Sequence, residues 1–229
     1  MFLSRIDLAP SAVARPEVRS RLQTAYGIHQ LLWDLFSDVP DRTRDFLFRE
    51  EDREQLDPGE SAFRAYTLSV RRPVDRTGLF LIQDRQLDPV LAEGDRLRFS
   101  ARVNPVVRHS DDQRKHKQRH DVVMDAKRKL VTASAPLPPL PEIVQQATLG
   151  WLRKQAALGG FAFVDGEVSA DGYRQHRFRK RGGAEIRLST VEIEGVLTVT
   201  DPIRFREAWG RGLGPAKGFG CGLLLLRRN

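Results

Sequence analysis

The chain has 229 residues, 40% of them hydrophobic and 30% charged, with a net charge of +8. That is length enough for one large domain or two small ones with buried cores, and the composition is that of a folded chain, not a disordered one. A single cysteine, Cys221, excludes an internal disulfide framework and a thiolate zinc cluster, and no apolar run reaches the roughly 20 residues of a membrane-spanning helix.

Met1–Leu8 alternates as a first strand. Pro16 then opens a helical pattern, with Val18, Leu22, Ala25, Leu32 and Phe36 on one stripe. Gly27 inside it costs about 1 kcal/mol relative to alanine, which allows a helix break or bend near Gly27. Arg44–Arg49, Phe63–Arg71 and Gly78–Gln83 read as strands, separated by an acidic, turn-rich loop over Glu50–Glu60. Gly94–Val103 sets Leu97, Phe99 and Ala101 on one face and Arg96, Arg98, Ser100 and Arg102 on the other, a half-buried strand with a basic face.

A domain boundary is expected near residue 92, dividing the chain into 1–92 and 93–229. Asn104–Lys129 reads as a basic, irregular stretch, and the proline-rich Ser134–Pro141 stops regular structure. Pro141–Leu158 reads as a helix ended by Gly159-Gly160. Strands are expected at Phe161–Val164, Tyr173–Arg181 and Glu185–Val199, with Gly182-Gly183 as a hairpin turn between the last two. Asp201-Pro202 opens a short helix to Trp209, and Leu223–Leu226 closes the chain as a strand. Both halves are compatible with a βαββαβ ferredoxin-like unit, giving an α+β protein of two such domains in tandem. That fold hosts many functions and does not choose among them.

The charge is uneven. Residues 1–100 carry 15 Arg/Lys against 17 Asp/Glu, whereas residues 101–229 carry 23 against 13. Nucleic acid or an anionic membrane is the natural partner of the second half.

Four features can carry chemistry. Tyr26 and His29, three apart, lie side by side on a helix, and an imidazole suits proton transfer near neutral pH. The other reading of His29 is a hydrogen-bonded core histidine. The glycine-rich run Gly210–Gly222 contains Lys217. It is either a phosphate cradle or a tight loop between a helix and a strand. No Ser or Thr follows the lysine, which argues against a nucleotide-hydrolysing loop.

Arg174–Gly183 holds five basic residues and no acid, with Arg177, Arg179 and Arg181 on one face. It reads as a hairpin that follows phosphates or as a solvated edge strand. Arg108–Lys129 contains His116 and His120 at a metal-ligand spacing, but the surrounding cations repel a metal. A flexible cationic arm that orders on RNA is the reading preferred.

Several separate segments agree with one family. MFLSRIDLA, YGIHQLLWDLF, RDFLFR, RLRFSARVNP, EGVLTVTDP and GLGPAKGFGCGLLLL together resemble the CRISPR-associated pre-crRNA endoribonucleases of the subtype I-E Cascade complex. The resemblance spans the whole chain. It implies two ferredoxin-like, RRM-related domains and a substrate, the stem-loop of the CRISPR repeat RNA. It also implies cutting at the 3′ base of the hairpin without a metal or other cofactor.

In that chemistry the ribose 2′-oxygen attacks the adjacent phosphate, leaving a 2′,3′-cyclic phosphate and a 5′-hydroxyl. The protein then stays on the crRNA as one subunit among the others of Cascade. The family's catalytic histidine falls on His29 and its tyrosine on Tyr26. Some members carry a basic residue directly after the histidine; here it is Gln30, so the resemblance does not supply the cation that faces the phosphate. Lys217 is a candidate by composition. Arg174, Arg177, Arg179 and Lys180 match the RNA-binding hairpin, and Arg108, Lys115, Lys117 and Arg119 match the stem-binding region. The expected compartment is the cytoplasm, with no membrane partner. A catalytically silent RNA-binding subunit is the alternative, and Tyr26 and His29 separate the two.

Overall fold

Phe2–Leu8 forms β1, as its alternation predicts. The computed structural model that shows this describes residues 1–36, 44–52, 56, 61–109, 118–179 and 185–228. The chain divides into two units, Met1–Val90 with Lys217–Leu223, and Leu91–Ala216 with Leu224–Asn229.

In the first unit β1 is followed by α1 (Pro10–Val13), α2 (Pro16–Leu22), α3 (Ala25–Trp33), β2 (Phe46–Glu50), β3 (Arg64–Ser69) and β4 (Phe80–Gln86). The sheet order is β2-β3-β1-β4, and every pairing is antiparallel. This is the strand order of a ferredoxin-like unit. Residues 70–79, where the second helix of such a unit would lie, are irregular.

The helical pattern after Pro16 does break near Gly27, at Gln23–Thr24. Thr24 is extended, and its hydroxyl accepts from the Gly27 amide at 3.0 Å, capping α3. Gly27 serves packing. A Cβ there would stand 2.2 Å from the Arg21 carbonyl oxygen, so only glycine lets the first turn of α3 press onto the end of α2. α3 buries Ile28, Leu31 and Leu32 in a core with Ile6, Leu8, Leu35, Phe36, Phe46, Phe48 and Phe80. Each such side chain contributes about 1.5–3 kcal/mol by leaving water.

The second unit runs β5 (Arg96–Val103), β6 (Val106–His109), β7 (Gln118–Asp121), α4 (Val122–Thr132), α5 (Leu140–Gly159), β8 (Phe161–Arg179), β9 (Glu185–Val199), α6 (Pro202–Arg211) and β10 (Leu225–Arg228). Its antiparallel sheet, in the order β10-β5-β9-β8, with α5 and α6 at the two crossovers, completes the βαββαβ pattern. β6, β7 and α4 are inserted after β5. On β5 the apolar face is buried and Arg96 and Arg98 are exposed, as the alternation requires. Asp201 caps α6 by accepting from the Ile203 and Arg204 amides.

Three expectations need correction. The stretch 104–129 is not irregular where it is described. β6 and β7 pair as a ribbon, and Asp121 caps α4 through the amides of Val123 and Met124. The runs expected at Phe161–Val164 and Tyr173–Arg181 belong, as far as Arg179, to one strand, β8, whose register against β9 shifts between Phe163 and Val168 and again between Asp171 and Arg174. These irregularities hide the period of two that marks a single strand. The last strand begins at Leu225, not Leu223. The turn at Gly182-Gly183 lies outside the described residues.

Candidate functional site

α3 carries Tyr26 and His29 one turn apart, and their side chains line a single cavity of about 340 Å³. Arg21, Gln30, Trp33 and Asp34 complete its wall, and Arg21 is paired with Asp34 at 3.2 Å. Tyr26 is 41% exposed, whereas His29 is half-buried. The imidazole sits among aromatic rings. Trp33 meets it edge-on at 5.6 Å, and Phe46 and Phe48 of β2 stack against it at 6.0 and 6.1 Å.

Its Nδ1 is enclosed and makes no hydrogen bond among the described residues. That nitrogen lends no support to the reading of a hydrogen-bonded core histidine. A buried donor or acceptor left unpaired costs about 1–3 kcal/mol, and such groups are kept where function requires them. Because Nδ1 is enclosed, a reacting oxygen can reach the ring only through Nε2. Burial, and then the positive charge of Arg44, lower the His29 pKa from 6.5. The neutral imidazole is therefore the resting form near pH 7.

Arg44 was not singled out by sequence reasoning. It precedes β2 by two residues and is itself half-buried, and burial lowers its pKa. Among the described residues no hydrogen bond or ion pair holds it. One signal was available: residues 44, 46 and 48 alternate, and Phe46 and Phe48 are the rings that face His29.

The end of the glycine-rich run closes the same unit. Lys217–Phe219 forms a 3-10 helix that packs against α3 and β2. Gly220 fits against the Phe48 ring, where a Cβ would stand 3.3 Å from the ring edge; its φ of +77° also favours glycine. The point that a Gly218 Cβ would fill lies 3.4 Å from Nη1 of Arg44. One unit thus gathers Tyr26, His29, Arg44 and the segment carrying Lys217.

The remaining candidates lie in the second unit. Arg108 on β6 and Arg119 on β7 are exposed and directly opposite each other in the ribbon. Arg174 and Arg177 are exposed on β8, and Arg177 stands opposite Arg187 of β9. Like charges directly opposite weaken a ladder; at Arg187 an ion pair with Glu185 at 2.6 Å offsets this, and at Arg108 and Arg119 a polyanion laid across them relieves it. Arg179 is in β8, but its side chain lies outside the description, as do Lys115, Lys117 and Lys180 altogether.

The two cationic ribbons are joined at their base. The Tyr173 hydroxyl donates to Asp121 at 2.6 Å, and Asn104 donates to the Ser189 carbonyl at 2.6 Å. Behind β6, Asp125 is buried. Burial by itself would raise its pKa, but hydrogen bonds from Lys129, His109 and Arg128 outweigh that and hold it at about 2. His120 packs its ring against His109 at 5.2 Å. Among the described residues no group of three His, Cys, Asp or Glu side chains is gathered as a metal would need. His116 lies outside them.

A model of the CRISPR associated protein family matches residues 1–228. The CRISPR system Cascade subunit CasE of Escherichia coli K12 is 30% identical over 226 residues, covering 99% of this chain and 98% of its own. The CRISPR-associated endoribonuclease Cse3 of Thermus thermophilus is 27% identical over 234 residues, covering 98% of each. A solved structure of Thermus thermophilus Cse3, bound to an RNA representing a pre-cleavage complex, has the same fold. Its TM-score is 0.71 at 24% identity, with 99% of this chain and 98% of that one covered.

Proposed function

Because the chain belongs to the CRISPR-associated protein family, we propose that it is the endoribonuclease that binds the stem-loop of the CRISPR repeat RNA and cuts the precursor at the 3′ base of the hairpin. It then remains on the crRNA as a subunit of Cascade, in the cytoplasm. Among the described residues no helix is long and apolar enough to cross a membrane.

One observation carries the chemistry. The half-buried imidazole of His29, neutral near pH 7 and reachable only at Nε2, lines a cavity with the Tyr26 phenol. Such a ring is a proton acceptor. The 2′-hydroxyl gives its proton to Nε2, the 2′ oxygen bonds to phosphorus, and the P–O5′ bond breaks. The leaving oxygen takes a proton and departs as the 5′-hydroxyl. The Tyr26 hydroxyl is the neighbouring group that can donate it and be restored from water. The reaction moves protons and a phosphodiester bond only, and so runs without a redox partner. Residues 1–92, with the 3-10 segment that joins them, carry this chemistry. Residues 93–229 hold the RNA through Arg108, Arg119, Arg174, Arg177 and the neighbouring basic positions.

The test is incubation of wild type and His29→Ala with repeat-hairpin RNA in excess EDTA, with the product ends analysed. Wild type yields a 2′,3′-cyclic phosphate, and the variant cuts about 10²–10⁴-fold more slowly while binding equally well. Tight binding with no cutting by wild type would make the protein a silent RNA-binding subunit.

A further inference from the structure

We propose that Arg44 is the group that holds the scissile phosphate, its guanidinium, whose Nη1 stands beside the bare Gly218, offering N–H donors to a non-bridging oxygen. This rests on the endoribonuclease reading above and adds to it the cation that faces the developing charge. As the 2′ oxygen bonds to phosphorus and the bond to O5′ breaks, negative charge grows on the non-bridging oxygens. Arg44 gives and takes no proton in that step; it binds the charge.

The choice among cations follows from their surroundings. Arg21 lines the His29 cavity but is paired with Asp34. Gln30, the next residue after the histidine, is neutral. Arg44 has no ion pair among the described residues, and among them its charge is what, after burial, lowers the His29 pKa. It is half-buried, so water already solvates it poorly and an incoming anion displaces little.

The planar guanidinium presents paired donors in a fixed fork, which suits a phosphate. Gly218 has no side chain, and the space a Cβ would take lies beside Nη1. An RNA backbone can therefore approach the peptide and the guanidinium together. Phe48 links the two, its ring stacked with the imidazole at 6.1 Å and packed against Gly220.

The test compares wild type, His29→Ala, Arg44→Ala and Arg44→Lys in single-turnover cutting of repeat hairpin. Affinity is read separately with a hairpin carrying a 2′-deoxyribose at the cleavage position. Arg44→Ala is expected to cut about 10²–10³-fold more slowly. Its affinity for the uncuttable hairpin should stay within about threefold of wild type, since one phosphate contact among many is lost. Arg44→Lys should recover part of the rate, and millimolar guanidinium should speed Arg44→Ala but not His29→Ala. Full-rate cutting by Arg44→Ala, beside a dead His29→Ala, overturns this assignment alone. So does a loss of affinity that equals the loss of rate, or a failure of guanidinium to rescue a variant that binds normally. A wild type that does not cut overturns the endoribonuclease reading and this inference together.

Discussion

The behaviour of His29 follows from what surrounds one ring. Tyr26, Gln30 and Trp33 face it from its own helix, Phe46, Phe48 and Arg44 from β2 and its approach, and the Lys217 segment closes the unit. Its folded pKa lies below 6.5, so the base is lost only as pH falls through that lowered value. The cutting rate should therefore rise with pH to a plateau whose midpoint lies below 6.5. In Arg44→Gln the midpoint should move upward, because one of the two causes of the shift is gone while burial remains. A midpoint above 6.5 in wild type would contradict the assignment. The same shift has a consequence for stability. The unfolded chain binds the proton more tightly, so the folded state loses stability as pH drops from 6.5 through the lowered value. His29→Gln should blunt that loss in denaturation midpoints measured between pH 7 and 5. His176, also lowered by burial and by Arg102 and Arg174, adds a loss of the same sign that this variant leaves in place. The spacing of Tyr26 and His29 was readable from the sequence. Arg44 was not, because a residue 15 positions further on meets the helix only through the sheet.

Elements position these groups, and their defects can be measured. Gly27→Ala forces a Cβ to 2.2 Å from the Arg21 carbonyl. It should destabilise by about 1–3 kcal/mol, as overpacking does, and slow cutting by tilting the helix that carries His29. A stability unchanged in urea melts would mean that α2 and α3 separate easily. The cationic ribbons make a different prediction. Arg108 and Arg119 face each other, as do Arg177 and Arg187, and each basic side chain that meets a phosphate releases counterions. Arg177→Ala should weaken hairpin binding and reduce the slope of log affinity against log salt by about 0.7–0.9. An unchanged slope would remove Arg177 from the interface. At this scale the sequence showed most strands through their alternation, β5 above all. It missed β6, β7 and α4, because a ribbon of four-residue strands shows only two alternations and its charges read as a solvated arm. It split β8 for the opposite reason: two register shifts interrupt a strand that is continuous in the sheet.

At the scale of the whole chain, the acidic balance of residues 1–100 and the basic excess of residues 101–229 suit the proposed division between chemistry and binding. Hairpin RNA should bind far more tightly than anionic vesicles at equal salt, and equal binding to both would return the membrane reading. Composition, period and motif determined a good deal by themselves. They set the absence of a disulfide framework, the two α+β halves, the proline and aspartate that open α6, and the Tyr26–His29 pair. All of these rest on neighbours within a few residues, where local geometry settles what meets what. Only the tertiary structure decided the rest. It showed that the His29 Nδ1 is sealed, that Arg44 is the charge the ring feels, and that Lys217–Leu223 joins the first unit although it follows the second in sequence. These depend on residues far apart along the chain, brought together by sheet pairing and by burial, which no local period encodes.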